Sequence, residues 1–469
     1  MKVLLINPPS ENLIGTNLPE MLEKARGHSP PLGIMYIASM LERKGHKVEI
    51  LDCQVEGFGH KEVEDEIRRR RPDLVGISAM TFTLIDAILI AKTVKRIDPG
   101  IKVAIGGSHV NIYPNETIKL GEVDYVVLGE AEFLFTEMVE NIDKPEKLKQ
   151  INGLLFKENG KVIYTGPVGL IEDLDSLPFP ARHLTPYKKY SSVLSTRHLV
   201  TTMISSRGCP YKCLFCDRPI SQKGFRARSA KNVVDEMEKC NEMGIDEFLL
   251  YDDTFTIDRQ RAIDICNEIT ARKLDIGWDI RARVNTVDME LLMRLSKAGC
   301  ERIHYGVESG NQDILNILRK GITMGQVEKA FAMTKKAKIE ILAYFMIGSP
   351  RETRETIMQS INFAKKLNPD FVHFSVTTPF PATDLYDMGL KEGILPNDYW
   401  KAFAENPTPD FKPLLWEENL SKEELIELLK LAYKSFYMNP PYIFQRIMKV
   451  RSPGEFARKA AAGLKVFRL

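Results

Sequence analysis

Residues 205–219 read SSRGCPYKCLFCDRP, which sets Cys209, Cys213 and Cys216 in the spacing C-x3-C-x2-C. No other stretch limits the chain as tightly. Three thiols within eight residues of irregular loop can converge on one inorganic centre without help from distant chain. Iron–sulfur clusters are usually held by four cysteines, yet the next ones, Cys240 and Cys266, lie far enough on to belong to other elements. A four-iron cluster on three thiolates keeps one iron open for a small ligand, and is then a reactive centre rather than an electron wire. The alternative is a structural zinc site with a remote His as fourth ligand, since C-x2-C pairs are common zinc ligands. A zinc ribbon normally has two separated pairs, and the sequence contains no second pair.

A chain of 469 residues with 44% hydrophobic content suggests two to four domains with sizeable cores. Its 65 basic residues nearly balance 63 acidic ones, so no global attraction to nucleic acid is expected. Seven cysteines, three of them clustered, do not read as a disulfide framework. With an oxygen-sensitive cluster they indicate a reducing interior, that of an anaerobe. The opening MKVLLINPP has an apolar run too short for a signal peptide. No stretch approaches the roughly 18–20 apolar residues that cross a bilayer, so a soluble, cytoplasmic protein is expected.

Residues 1–145 alternate short apolar runs with amphipathic segments, which predicts an α/β domain, a parallel sheet with helices on both faces. Strands are expected at 3–6, 48–51, 74–78, 103–105 and 125–128, with helices at 34–43, 61–70 and 84–97 between them. Five such units suit a flavodoxin-like (Rossmann-type) order, whose ligand site lies beyond the carboxyl ends of the strands. Asn7, Ser78, Met80, Thr81, Gly106, Gly107, His109, Gly129 and Glu130 stand at those ends. The run Arg68–Arg71 ends a helix whose first turns are acidic, so it complements the helix dipole rather than marking a nucleic-acid patch.

Residues 146–195 break the pattern: a hairpin around Asn159-Gly160, then a proline-punctuated connector. Periodicity resumes over 196–390, with strands expected at 199–204, 248–251, 278–281, 303–307, 342–347 and 371–377. The intervening helices fall at 230–243, 259–272, 288–298, 311–318 with 324–337, and 352–366. Six βα units make a partial TIM-like barrel, with its chemistry at the carboxyl ends of the strands. The cysteine loop follows the first strand. Asp252 and Asp253 follow the second, Arg281 and Arg283 close the third, Glu308 and Ser309 follow the fourth, and Gly348 follows the fifth. Read locally, the two aspartates are also helix N-caps and Arg283 an ion-pair partner. Residues 391–469 are expected to be helical. From Arg446 onward they carry seven Lys/Arg against one acid, with Phe456, Ala460, Leu464 and Phe467 near one helical face. Such a basic amphipathic end lies on a membrane surface or docks on its own protein.

The cysteine spacing, with Phe215 just before the last thiol, resembles the signature of the radical S-adenosylmethionine (SAM) superfamily. In that family the open iron chelates the amino and carboxylate groups of SAM. An electron from the 4Fe-4S cluster then cleaves the sulfonium to a 5′-deoxyadenosyl radical. The resemblance implies SAM contacts from Phe215, Asp252 and Asp253 (in YDDTF), Glu308 and Ser309 (in GVESG), and Gly348 (in GSPRET). Arg283 is the candidate for the SAM carboxylate or ribose, because an Arg fork matches a carboxylate.

The N-terminal domain resembles the cobalamin-binding domain that precedes many radical SAM modules. The likeness rests on the INPP opening, on Ser78-Ala79-Met80 followed by Gly106-Gly107, and on the closing VVLGEAE. It implies cobalamin contacts at the nine strand-end residues named above, with His109 on the tail or phosphate. The D-x-H-x-x-G loop that ligates cobalt in mutases is absent, which favours a lower cobalt face free of His. A response-regulator-like or nucleotide-binding domain has the same fold, so fold alone does not decide.

Together the modules resemble the cobalamin-dependent radical SAM enzymes, including class B methylases and the anaerobic magnesium-protoporphyrin ester cyclase. The resemblance implies hydrogen abstraction from an unactivated carbon, then methyl transfer from methylcobalamin. A cyclase or rearrangement using cobalamin without methyl transfer is the second reading; a non-catalytic cobalamin or redox sensor is the third. The implied partners are a small-molecule or lipid-like substrate and a reductant such as flavodoxin or ferredoxin.

Overall fold

A computed structural model describes residues 1–15, 27–192, 194–195, 197–217 and 224–448. The first sheet contains β1 (Lys2–Asn7), β2 (Lys47–Asp52), β3 (Leu74–Ser78), β4 (Lys102–Gly106) and β5 (Tyr125–Val127). They pair in parallel in the order β2-β1-β3-β4-β5, the expected flavodoxin-like arrangement. Successive side chains of a strand point to opposite faces, and here both faces are covered. Val3 and Leu5 enter a core with Ile34, Met35 and Leu41 of α1 (Leu32–Arg43). Leu4 and Ile6 enter a second core with Val63 and Ile67 of α2 (His60–Arg70) and Ala87 and Ala91 of α3 (Leu84–Ile97). Two buried faces explain the unbroken apolar run VLLI in β1.

The hairpin, expected as part of the connector, joins this sheet instead. After α4 (Ala131–Glu140), strands β6 (Leu154–Glu158) and β7 (Lys161–Tyr164) add antiparallel to the edge at β5. Leu155 drops into one core while Leu154 and Phe156 drop into the other. Asn159 (φ 51) and Gly160 (φ 76) both take the left-handed conformation that a two-residue hairpin turn requires.

The second sheet is six parallel strands in sequence order: β8 (Val200–Met203), β9 (Glu247–Leu250), β10 (Gly277–Ala282), β11 (Cys300–Glu308), β12 (Glu340–Ile347) and β13 (Phe371–Val376). Phe248, Trp278, Ile303, Tyr305, Phe345 and Phe374 belong to one large core, packed under helices α5 (Ala230–Glu242), α6 (Arg259–Ala271), α7 (Met289–Lys297), α8 (Gln312–Ile317), α9 (Met324–Lys336) and α10 (Arg354–Leu367). The expected six-unit barrel is present, with strand limits moved by up to three residues.

The C-terminal region ties both sheets. Beyond α11 (Asp384–Glu392), Trp400 of α12 (Tyr399–Glu405) lies among Phe82, Phe380 and Phe411, joining the barrel to the N-terminal domain. Helix α13 (Lys422–Tyr437) covers the free edge of β13. The Tyr433 hydroxyl accepts from Phe374 N–H (3.2 Å) and donates to its carbonyl (3.0 Å), while Tyr437 does the same at Val372 (3.1 and 2.9 Å). Tyrosines thus occupy edge groups that would otherwise be open to another strand. Helix α14 follows at Pro440–Met448; the expected amphipathic segment 453–469 lies outside the described residues. Among the described residues no helix is long and apolar enough to cross a membrane.

Candidate two-cofactor site

The cysteine loop leaves the carboxyl end of β8, and its two ends meet. Ser206-Arg207 pairs antiparallel with Arg226-Ala227, so the loop is a closed excursion from one point. Asp252 holds its base, accepting from Ser205 N–H (2.6 Å), Ser205 Oγ (2.5 Å) and Ser206 Oγ (2.6 Å). This carboxylate is fully buried, so Asp252 anchors the loop in place of the expected SAM contact. It is not a helix cap either; Asp258 caps α6, accepting from Arg261 N–H. Asp253 alone of the pair is exposed in the mouth. Crowding by protein atoms, then the charge of Asp252, raises its pKa.

Cys213 is buried, Cys209 half-buried and Cys216 exposed. Packing around the Cys216 thiol, followed by the negative potentials of Cys213, Asp253 and Cys209, pushes its pKa up to about 11. A thiolate at Cys216 beside the other two sulfurs therefore calls for a cationic centre, and the donor set suits an iron–sulfur cluster. Among the described residues no three ligating side chains gather on a single-ion point, whereas a four-iron cluster takes one thiolate per iron.

Arg283 sits behind the loop, buried. It donates to Cys213 Sγ (3.4 Å) and to the Lys320 carbonyl, and stacks 3.8 Å from the Tyr211 ring centre. Its partners are thus two loop residues and the Lys320 carbonyl, and its Nε is unpaired. Glu308 pairs with Lys320 (2.7 Å) with both side chains buried, and Lys320 lies 5.9 Å from the Phe215 ring. Ser309 is sealed against Ser360 (3.1 Å). Gly348 has φ +74, and a Cβ there would come within 2.7 Å of Leu425 on α13, so glycine admits the covering helix. In the same segment Thr353 caps α10. Of the seven expected SAM positions, Phe215 and Asp253 keep open surface beside the thiols.

At the facing strand ends, Ala79 N–H donates to the Gly106 carbonyl (2.8 Å) and His109 N–H to the Ala79 carbonyl (3.1 Å). Gly107 has φ +107, and a Cβ there would meet Ala79 O at 2.6 Å. The two strand-end loops are zipped into a floor, and Ser78, Met80, Thr81, Gly106 and Gly107 keep surface along it. A side-chain-free shelf of this kind fits the close approach of a large, flat cofactor. His109 is different: it is fully buried, its Nδ1 meets Thr81 Oγ1 (3.1 Å), and its Nε2 has no partner. Desolvation lowers its pKa to about 4, so it is a neutral strut rather than the expected phosphate contact. Asn7 donates to Asp52 (2.7 Å), which also accepts from Tyr190 of the connector (2.8 Å). Asn111 Oδ1 accepts from Gly129 N–H (2.7 Å).

Glu130 is taken by the barrel. Its carboxylate receives both guanidinium nitrogens of Arg226 (2.8 and 2.7 Å) and Ile171 N–H (2.9 Å), while Arg207 bonds the neighbouring Glu132. Burial is the largest single influence and would raise the Glu130 carboxyl, but the Arg226 hydrogen bonds, the Ile171 N–H and the charges of Arg207 and Arg226 together hold it below the usual range. Arg207 and Arg226 are the two ends of the cysteine loop, so the N-terminal domain grips that loop directly. A second buried knot joins Arg182 of the connector to Glu236 (2.7 Å), which Arg228 also reaches. Ser29 and Tyr251 hydroxyls meet at 3.1 Å across the domains. The strand ends of the two sheets thus lie mouth to mouth.

A B12-binding-domain model matches residues 21–139 and a radical SAM superfamily model matches 203–364. The chain is 36% identical to an uncharacterized methyltransferase of Pyrococcus horikoshii over 99% of its length and 98% of the relative. It is 30% identical to the anaerobic magnesium-protoporphyrin IX monomethyl ester cyclase of Cereibacter sphaeroides, over 88% of this chain and 68% of the relative. It belongs to the cobalamin-dependent radical SAM enzymes. Among solved structures, the fold is similar to the cobalamin-dependent radical SAM enzyme OxsB with aqua-cobalamin bound (TM-score 0.74, 18% identity, 99% of this chain and 71% of that one). It is likewise similar to the radical SAM methyltransferase TsrM of Kitasatospora setae (TM-score 0.69, 19% identity, 83% and 78%). The cofactors of this radical SAM enzyme are a 4Fe-4S cluster, SAM and cobalamin. Cys209, Cys213 and Cys216 are the residues that would hold the cluster, and the floor from Ser78 to Gly107 is where the corrin would rest.

Sequence reading placed Arg281 at a strand end but missed the rest of the barrel's inner face. Arg302 and His304 on β11, Asp279 and Arg281 on β10, and Tyr344 on β12 sit at alternate positions and line its concave side. The signal was present as D-x-R, R-x-H and a Tyr two residues after Leu342 within strands otherwise apolar. Lys320 and the loop-end arginines carry no comparable local signal.

Proposed function

We propose that this radical SAM enzyme methylates an unactivated carbon of a small organic substrate. The observation that carries the reading is the direct grip of the N-terminal domain on the cysteine loop, Glu130 on Arg226, which sets a cobalamin floor opposite a SAM mouth. When bound, the cluster and SAM supply a carbon-centred radical and cobalamin supplies the methyl group; such chemistry belongs to the cofactors, and the protein positions them and keeps water out. Asp253 is offered to the SAM amino group, Phe215 to its flank, and Arg283 steadies the Cys213 sulfur. Met80 and Gly107 carry the facing cofactor. A flavodoxin- or ferredoxin-like donor supplies the electron.

The cyclase is the second reading, favoured by the 30% identity to the Cereibacter sphaeroides enzyme. Turnover with SAM labelled in its methyl group separates the two: label in the product is expected, and an unlabelled product with one new ring would replace methyl transfer by cyclisation.

A further inference from the structure

Beneath the SAM mouth, the concave face of the barrel and the connector enclose a cavity of about 130 Å3. Tyr251, Asp279, Arg281, His304 and Tyr344 line it, with Leu342 and the connector's Leu194 as apolar walls. The cavity is small and partly open, which suits a short side arm. None of these side chains was needed to build the cluster loop or the cobalamin floor.

Most charges in the cavity are already answered. Asp279 Oδ2 accepts from Arg302 (3.4 Å) and meets His304 Nε2 (3.1 Å). His304 Nδ1 meets the Tyr344 hydroxyl (3.0 Å), completing a chain of three side chains. Arg302 is further held by Glu340 (2.9 Å) and the Leu194 carbonyl (3.1 Å). Arg281 is the exception. Its guanidinium lies 4.2 Å from the Tyr251 ring centre, and among the described residues no carboxylate or carbonyl takes a hydrogen bond from it. Asp253 at the rim acts on it only through space. An aromatic face steadies a guanidinium without consuming its in-plane donors, so the fork stays available to a planar anion. A partly enclosed, unpaired cation is costly unless a counter-ion arrives.

We infer that this cavity is a subsite for a carboxylate-bearing arm of the substrate, with Arg281 as its counter-ion. The inference rests on the proposed function for calling the occupant a substrate. The arm enters the lumen, its carboxylate meets the Arg281 fork, and the rest of the molecule is held at the mouth between the two cofactors. Leu194 and Leu342 contact the methylene portion.

Saturation-transfer NMR on the reconstituted full-length enzyme, with propionate and its neutral isostere propionamide as probes, tests this. Propionate should bind saturably in the millimolar range and roughly tenfold more tightly than propionamide, Arg281→Gln should abolish that preference, and SAM should leave propionate affinity within about twofold. Arg281→Lys keeps the charge and should keep part of the preference, and the wild-type comparison depends on no variant folding. Equal binding of the two probes, or a preference that survives Arg281→Gln, overturns the inference. Displacement of propionate by SAM also overturns it, because Arg281 would then serve the SAM carboxylate. Formation of 5′-deoxyadenosine by the wild-type enzyme is measured separately. Its absence would sink the radical reading, and the probe result would still report on the cavity.

Discussion

Glu352, in the GSPRET segment after β12, is the most heavily burdened carboxyl in the barrel. It is 3% exposed, Oε2 accepts from Ser349 N–H (2.8 Å), and Oε1 has no partner. Desolvation drives its pKa up to about 8 against bonds from Ser349 and Gly348 that pull the other way. At neutral pH the folded protein therefore keeps a proton that the unfolded chain has shed. Stability contributed by this group is full below the ordinary 4.5 and falls as pH rises towards 8. At about 1.4 kcal/mol per pH unit, the loss by pH 7 is roughly 3 kcal/mol. Glu352→Gln keeps a carbonyl for the two N–H groups and removes the titration. Thermal unfolding of wild type and variant should differ by less than about a degree at pH 5, and by roughly 3 °C in the variant's favour at pH 7. A difference that does not change with pH would refute the reasoning, since a packing defect alone has no such slope.

Cys216→Ala should lower bound iron and abolish 5′-deoxyadenosine formation, read by iron analysis and chromatography; retained SAM cleavage would refute the cluster assignment. Glu130→Gln leaves Arg226 buried against a neutral partner and should cost roughly 3 kcal/mol, with weaker cluster retention, measured by denaturant unfolding and the iron–sulfur absorbance. Gly107→Ala forces a Cβ against the Ala79 carbonyl at 2.6 Å and should reduce cobalt retained after desalting several-fold while leaving iron unchanged. His109, neutral with a pKa near 4, is protonated more readily in the unfolded chain. Stability should therefore decline as pH falls from 6.5 to 4, and His109→Leu should flatten that acid limb in a pH series of unfolding curves.

The elements were legible because local pattern determines them. All five parallel strands of the first sheet and all six of the second lie where apolar runs placed them, since strands buried on one or both faces need such runs. The hairpin's turn was legible in Asn159-Gly160, but its partner was not. That β6 completes the sheet at β5 depends on the edge left open there. The site divided similarly. The cysteine loop is one contiguous motif and could be read directly. Asp252, Glu130, Ser309 and His109 stand at strand ends, where sequence shows proximity to a ligand but not direction. Each is turned inward by a partner far along the chain, Asp252 by Ser205 and Glu130 by Arg226. Arg281 and Arg283 are two residues apart on the same stretch, and only tertiary contact decides that one serves the cluster loop while the other takes no hydrogen-bond partner among the described residues.

The grip of Glu130 and Glu132 on the two ends of the cysteine loop also orders assembly. Chains fold from the N-terminus as they are made, so both glutamates leave the ribosome before Arg207 does. Burying either arginine without its partner is expensive, which keeps the loop from closing on a misfolded or absent first domain. Loss of the first domain should therefore open the loop and weaken its hold on the cluster. A truncated chain starting at the barrel should accumulate as an iron-free protein. The same contacts that align the two sites would then make the barrel's cluster loop dependent on the domain in front of it.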